Sequence, residues 1–185
     1  VALSTLTGEG EPGLATVTAE SGPASDSVQV RIGEGAPVTV TLSADPDLIV
    51  ADGVDASTIT AQVLDAFGEP ITETIPITFE TTLGTVDPEA MLVVDGQAQT
   101  QLTSTETGLA VVSAETANTS SSVEVSVVPG PAASVSLSVD PSQVPVDGQA
   151  LLQAEVADAF GNPVANGTPV TLTTSLGSAV PSLVL

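Results

Sequence analysis

Residues 63–71 read VLDAFGEPI, and residues 156–164 read VADAFGNPV. A nine-residue phrase that returns after ninety-three positions restricts the chain to architectures built from a repeated unit. The repetition runs well beyond the phrase. PVTVTLSADPDLIVADG (37–53) matches AASVSLSVDPSQVPVDG (132–148), and PITFETTLGTV (76–86) matches PVTLTTSLGSA (169–179). A further partial copy lies at the front, where GLATVTAESGPASDSVQVRIGEG (13–35) matches GLAVVSAETANTSSSVEVSVVPG (108–130). The period of 93 to 95 residues is the size of one immunoglobulin-like β-sandwich. It is too long for a solenoid coil, so the Thr and Ser rows are ordinary wet strand faces and not a water-ordering array.

Within a unit the apolar residues alternate with polar ones at period two, the mark of a strand with one face on a core. Val38, Val40 and Leu42 alternate with Thr39 and Thr41, Ile59, Ala61 and Val63 with Thr60 and Gln62, and Val123, Val125 and Val127 with Glu124 and Ser126. Turn signals such as ADP, ADG, FGEP, LGT, VDG and ETG recur every eight to twelve residues, the spacing of an all-β sandwich. The predicted core of the central unit is Val40, Leu42, Ile59, Ala61, Val63, Ile77, Phe79, Leu102, Val112, Ala114, Val123 and Val125. The repeated phrase reads as a turn, with Gly68 at positive φ and Asp65 bonding the backbone. Phe67 is expected to close the end of the core like a lid, and residues 158–163 to repeat the arrangement.

Composition then removes whole classes of function. The chain has no Cys, His, Lys, Trp or Tyr, and its single basic residue is Arg31. Ser-His and Cys-His nucleophilic sites, ordinary zinc sites, Schiff bases and P-loops all lack their essential residues. Carboxylate-only catalysis is the one formal route left, and no enzyme is expected. A net charge of −22 repels nucleic acids and anionic lipid, so no nucleic-acid partner is expected. No run of eighteen apolar residues exists to span a membrane. Three Phe residues are the only aromatics, too few for stacking on sugars or bases. A hydrophobic fraction of 42% still supplies a core of Val, Leu, Ile and Ala.

Taken together, ADG…STITAQVLDAFGEPI…PITFETTLGTV…GQAQTQLTSTETGLAVVSAE resembles a bacterial Ig-like domain of group 1, the family that forms stalks of intimin- and invasin-type adhesins. The resemblance covers essentially the whole chain. It implies an Ig-like sandwich with an extracellular, load-bearing or spacing role at the cell surface, and it does not by itself imply receptor binding.

No catalytic, cofactor or metal site is predicted. Asp45, Asp47, Asp52 and Asp55, with Asp140 and Asp147 in the next unit, cluster as calcium ligands at module junctions can. They lack D-x-D-x-D-G spacing, and Asp before Pro or Gly is ordinary turn chemistry, which is the expected reading. Asn118 and Asn166 head N-glycosylation triplets in predicted loops. Arg31 is expected to be a solvated ion-pair partner.

The domain reading is residues 1–35 as the closing strands of one partial module, 36–130 as a complete module, and 131–185 as the opening strands of another. Linkers near 33–37 and 128–132, stiffened by Pro37, Pro129 and Pro131, are expected to be short and extended. They set modules end to end at a rise on the order of 40 Å. The chain opens on Val1 and is expected to be a processed or excised piece. Joining its end to its start would place LGSAVPSLVL before VALSTLTGEGEPGLATVTAE, with the join at the 94–96 turn. Residues 131–185 are therefore expected to be completed head to tail by residues 1–35 of another copy, giving a filament, sheath or stalk. A longer continuous chain with adjacent modules would supply the same strands. The alternative function is an adhesin or ligand-binding segment of a large surface protein.

Overall fold

A computed structural model describes residues 2–9, 12–33 and 35–180, together with the backbone of Leu183–Val184. The period-two segments form strands throughout. In the centre lie β3 (Thr39–Asp45), β4 (Leu48–Val50), β5 (Ser57–Leu64), β6 (Ile75–Thr81), β7 (Thr85–Asp87), β8 (Ala90–Val93), β9 (Gln97–Thr103), β10 (Gly108–Glu115) and β11 (Ser120–Val128). They build a five-stranded sheet, β4-β11-β10-β6-β8, and a four-stranded sheet, β3-β5-β9-β7. All pairings are antiparallel except β4 on β11.

The alternation explains the closure of this sandwich. Ile59, Ala61 and Val63 of one sheet and Ala110, Val112 and Ala114 of the other are fully buried, while the residues between them face outward or sit half-buried. Phe79 is buried between the sheets, with Ile77, Leu102 and Val125. Ten of the twelve predicted core residues are buried, and Leu42 and Val123 pack half-buried against them. Ile49, Ala51, Ile71, Val86, Val93, Ala98, Ala110 and Val127 complete the core. Several of these lie in short strands whose alternation is too brief to read.

One tight turn carries the chain from β8 in the five-stranded sheet to β9 in the four-stranded one. Val94 and Gln97 exchange both backbone hydrogen bonds at 3.0 Å, and Asp95 and Gly96 between them have φ of 51° and 73°. Positive φ at both central residues defines the hairpin turn that matches strand twist. A side chain at Gly96 would stand 2.6 Å from Pro70 Cβ.

The flanks repeat pieces of this plan. β1 (Gly13–Ser21) and β2 (Ala24–Ile32) form a hairpin in the register of β10–β11: Gly13 faces Ile32 as Gly108 faces Val127. β12 (Ser134–Asp140) and β13 (Leu151–Ala157) pair in the register of β3–β5: Val135 faces Val156 as Val40 faces Val63. β14 (Val170–Thr171) pairs with the backbone of β15 (Leu183–Val184).

The hairpin and β12–β13 attach at opposite ends of the sandwich. The hairpin runs into β3 beside Leu64 and the loop after it, whereas β11 exits beside Val50 and leads to β12. The first linker is not extended throughout, contrary to expectation. Gly33 and Gly35 have φ of 89° and 84°, so the chain turns there, and Gly35 is buried.

Candidate functional site

The repeated D-A-F-G-x-P phrase builds the same device twice. At the first copy, Asp65 Oδ1 accepts the backbone N–H groups of Phe67 (2.8 Å) and Glu69 (3.0 Å), folding the loop on itself. The N–H of Gly68, at φ 77°, donates to the Asp65 carbonyl. The second carboxylate oxygen, Oδ2, accepts the N–H of Gly35 at 3.3 Å, thirty residues upstream.

At the second copy, Asp158 Oδ1 accepts from Phe160 and Asn162 at 2.9 Å, and Oδ2 accepts from Gly130 at 3.1 Å. Gly35 and Gly130 are equivalent in the repeat, and both lie in the linkers. One carboxylate thus closes its own loop and holds the chain entering the next folded unit. Asp65 and Asp158 are 4% and 3% exposed, and no buried side-chain polar atom among the described residues lacks a partner.

The hydrogen bonds set the charge state. For Asp65 the Glu69 amide acts most strongly, opposed by burial, and the Phe67 and Gly35 amides and the Arg31 charge assist; its pKa is lowered. For Asp158 burial pushes upward. The Asn162 side chain and backbone, Gly130 and Phe160 outweigh it and pull the value to about 2. Both clamps therefore act as carboxylates across the neutral range.

The residue before the proline reaches across each junction. Glu69 Oε2 accepts from Arg31 Nη1 at 2.8 Å, and the Arg31 guanidinium carbon lies 5.1 Å from the Phe67 ring centroid. Asn162 Nδ2 donates to the Thr105 carbonyl and to Asp158 Oδ2, both at 2.9 Å, while its Oδ1 accepts the Thr107 N–H at 3.3 Å. Arg31 is thus a surface ion-pair partner as expected, but the pair spans the junction. Phe67 is not a core lid: it is half-buried beneath Arg31, and Phe160, whose repeat-equivalent neighbour is Ser126, is 52% exposed.

The other singled-out residues are separate from the clamps. Asp52 Oδ1 accepts from Val54 and Asp55, and Asp55 Oδ2 accepts from Val50. The Asp55 and Val54 amides lower the Asp52 pKa, which is the turn chemistry expected of this cluster. Asp45, Asp47, Asp140 and Asp147 are exposed, and no group of three potential metal-ligating side chains forms among the described residues. Asn118 and Asn166 are exposed in bends or turns. Among the described residues no helix is long and apolar enough to cross a membrane.

Sequence reasoning found the Asp turn but missed its second oxygen and the role of the residue before proline. The available signal was the return of Gly at 35 and 130, each about thirty residues ahead of its Asp.

The closed centre is an Ig-like β-sandwich of two sheets around one core. Residues 39–128 match the bacterial Ig-like domain family, group 1. Among solved structures, invasin, described as a bacterial integrin-binding protein, is 27% identical over 94% of this chain at a TM-score of 0.60. The chain spans 39% of that invasin chain. InvD of Yersinia pseudotuberculosis is 22% identical, covering 83% of this chain and 52% of its own, at a TM-score of 0.50, a likeness of fold alone. The D0–D1 domain of intimin is 28% identical over 62% of this chain and 63% of that one, at a TM-score of 0.42.

Proposed function

We infer that the chain is a segment of an extracellular stalk or filament at a bacterial surface, in which Ig-like modules are laid end to end at fixed angles. Residues 36–130 are its complete module, and 1–35 and 131–185 belong to partial modules completed by copies of the chain or by adjacent modules of a longer one. The observation that carries this reading is the clamp, made twice by the same Asp on the same linker Gly. A flexible string of domains needs no such contact. A spacer that must hold its length does, because a linker left free lets modules reorient at little cost.

The absence of native Cys makes the test direct. Spin labels on Thr18→Cys and Gln101→Cys, both exposed positions, report the orientation of the hairpin against the sandwich. One narrow distance distribution is expected, broadened by Asp65→Ala. A broad distribution in the parent chain would sink the reading.

The second reading is an adhesive segment, which the likeness to an integrin-binding protein favours. Saturable binding to integrin-coated surfaces by the 185-residue chain would establish it.

A further inference from the structure

The acidic turn after β4 occupies a place in the sandwich that turn chemistry alone does not explain. β4 is an edge strand, and its pairing with β11 is the one parallel pairing of the central module. Leu48, Ile49 and Val50 face Ser126, Val127 and Val128. The ladder is closed at one end by the Ser126 N–H on the Asp47 carbonyl and at the other by the Ala51 N–H on the Val128 carbonyl, both at 2.8 Å.

Val50, between these bonds, spends its own backbone groups on the turn. Its N–H donates to Asp55 Oδ2 at 2.8 Å, and its carbonyl accepts from the Asp52 N–H at 2.9 Å. Asp52 Oδ1 in turn accepts the N–H groups of Val54 and Asp55. Groups that a bare edge strand would leave open are thus closed by the strand's own turn. Ile49 and Ala51, fully buried in the core, anchor the other side.

The direction of the strands gives this arrangement a use. β3 starts beside Leu64 at the entry end of the sandwich, and β4 follows it to finish beside Val128 at the exit end; β11 runs the same way. Tension applied through the two linkers draws β3 and β4 back toward the entry and β11 out through the exit. β4 and β11 then slide past each other along their length, with their bonds loaded together rather than opened one by one. Withdrawing β3 and β4 breaks seven residue pairs with β5, and withdrawing β11 breaks eight with β10. Both routes sever β4 from β11.

Resting on the stalk reading, we propose that the β4–β11 pair is the load-bearing contact of the module and that the Asp52–Asp55 turn sets how long it survives tension. Load passes from linker to linker through two strands lying side by side. The strands from β5 to β10 (Ser57–Glu115) stand outside that direct path. Asp65 and Asp158 hold the linkers, whereas Asp55 holds the strand that carries their pull.

The test stretches the whole 185-residue chain. It has no native Cys, so Gln29→Cys on β2 and Ser136→Cys on β12, both exposed, accept DNA handles for optical tweezers. At constant force the central module should open in one step that releases residues 36–130, and the rate of that step is the unfolding rate under load. Asp55→Ala strands the Val50 N–H and should raise the rate about fivefold, the loss of one hydrogen bond. Asp55→Asn keeps an acceptor oxygen and should hold the parent's rate. Asp52→Ala, at an exposed position of the same turn, should act in the same direction by a smaller factor, and it decides the matter where Asp55→Ala does not fold. Thr100→Ala is the control. It deletes the bond from Thr100 Oγ1 to the Pro88 carbonyl at 2.8 Å, on β9 and off the path, so it should lower the melting temperature and leave the rate under load unchanged. A rate unmoved by the Asp→Ala variants, or moved as far by Thr100→Ala, would overturn the proposal. The Thr18–Gln101 distance tests the stalk reading separately. A narrow distance with a rate indifferent to the turn would leave the stalk and reject the load path, and a broad distance with the expected rates would do the reverse.

Discussion

The two clamps share their carboxylate and differ in what braces it. At the first, the brace is a charge pair: Glu69 meets Arg31, which also covers Phe67. At the second it is an amide: Asn162 holds the backbone of Thr105 and Thr107 and shores up Asp158 as well. The backbone ahead of each loop explains the divergence. Thr107 offers an N–H to Asn162, whereas its repeat-equivalent at the first junction is Pro12, which has none. An asparagine at position 69 would find no donor there. The lesson is that an identical turn phrase fixes the local loop, while the neighbouring unit decides how the junction is braced.

The largest effect should come from removing what both junctions share. Asp65→Ala and Asp158→Ala each strip one loop of its organising acceptor. Hydrogen exchange of the Gly35 and Gly130 amides should then rise to nearly that of an exposed loop. Asn at either position should rescue the loop bonds through its carbonyl oxygen but not the linker bond, because its NH₂ would face the glycine N–H. If both glycine amides stay protected, the clamps are incidental.

Acid should do reversibly what those substitutions do permanently. A carboxylate whose pKa is depressed on folding stabilises fully above its unfolded value and loses that contribution as pH falls through its folded one. For Asp158 the window runs from the ordinary 3.8 down to about 2, and the Asp65 shift has the same sign. Order at the first junction, read from the label distance, should persist at pH 5 and fade only below the ordinary carboxylate range, while exchange protection of the Gly130 amide should fade across the Asp158 window. Loss of order already near neutrality would contradict the carboxylate account.

Next in size is the difference between the braces. Asn162→Ala removes three hydrogen bonds and should weaken the second junction by roughly 2 kcal/mol, at about 1 kcal/mol or less per bond. The opening free energy from exchange of the Thr107 amide measures this. Glu69→Asn should not import the second brace into the first, because of Pro12, and should behave like Glu69→Ala. A Glu69→Asn chain as rigid as the parent would refute the explanation from Pro12.

Much of the architecture was legible because alternation at period two records which side chains go inward. Val63 and Phe79 are buried as their pattern requires. The same pattern at Val135 and Leu137 sits exposed: a sequence states which face wants a partner, and only the assembled neighbours decide whether it has one. The site was less legible for a related reason. Asp65 reads as a turn residue because its bonds to Phe67 and Glu69 are local, whereas its bond to Gly35 joins segments thirty residues apart. Phe67 was misplaced because an aromatic at a strand end resembles a core cap. Its true neighbour, Arg31, lies on β2, across the junction.

The smallest effect should appear at Arg31 itself. Its ion pair with Glu69 is half-exposed, at 43% and 53% for the two side chains, so solvent and salt weaken it to between about 0.2 and 1 kcal/mol. Stacking of the guanidinium on Phe67 adds roughly 0.5 kcal/mol at such an exposed site. Arg31→Lys keeps the charge but loses the flat face. It should therefore cost only a few tenths of a kcal/mol, less than Arg31→Ala. Salt separates the two contributions. Raising ionic strength from 0.01 to 1 M shrinks the screening length from about 30 Å to about 3 Å. The Lys variant, held by charge alone, should then lose nearly all that remains of its first junction's brace. The parent should keep its stacking, and the Asn162 brace should not respond. Equal salt sensitivity at both junctions would show that the overall charge of the chain, rather than the Arg31 pair, governs how the modules are held.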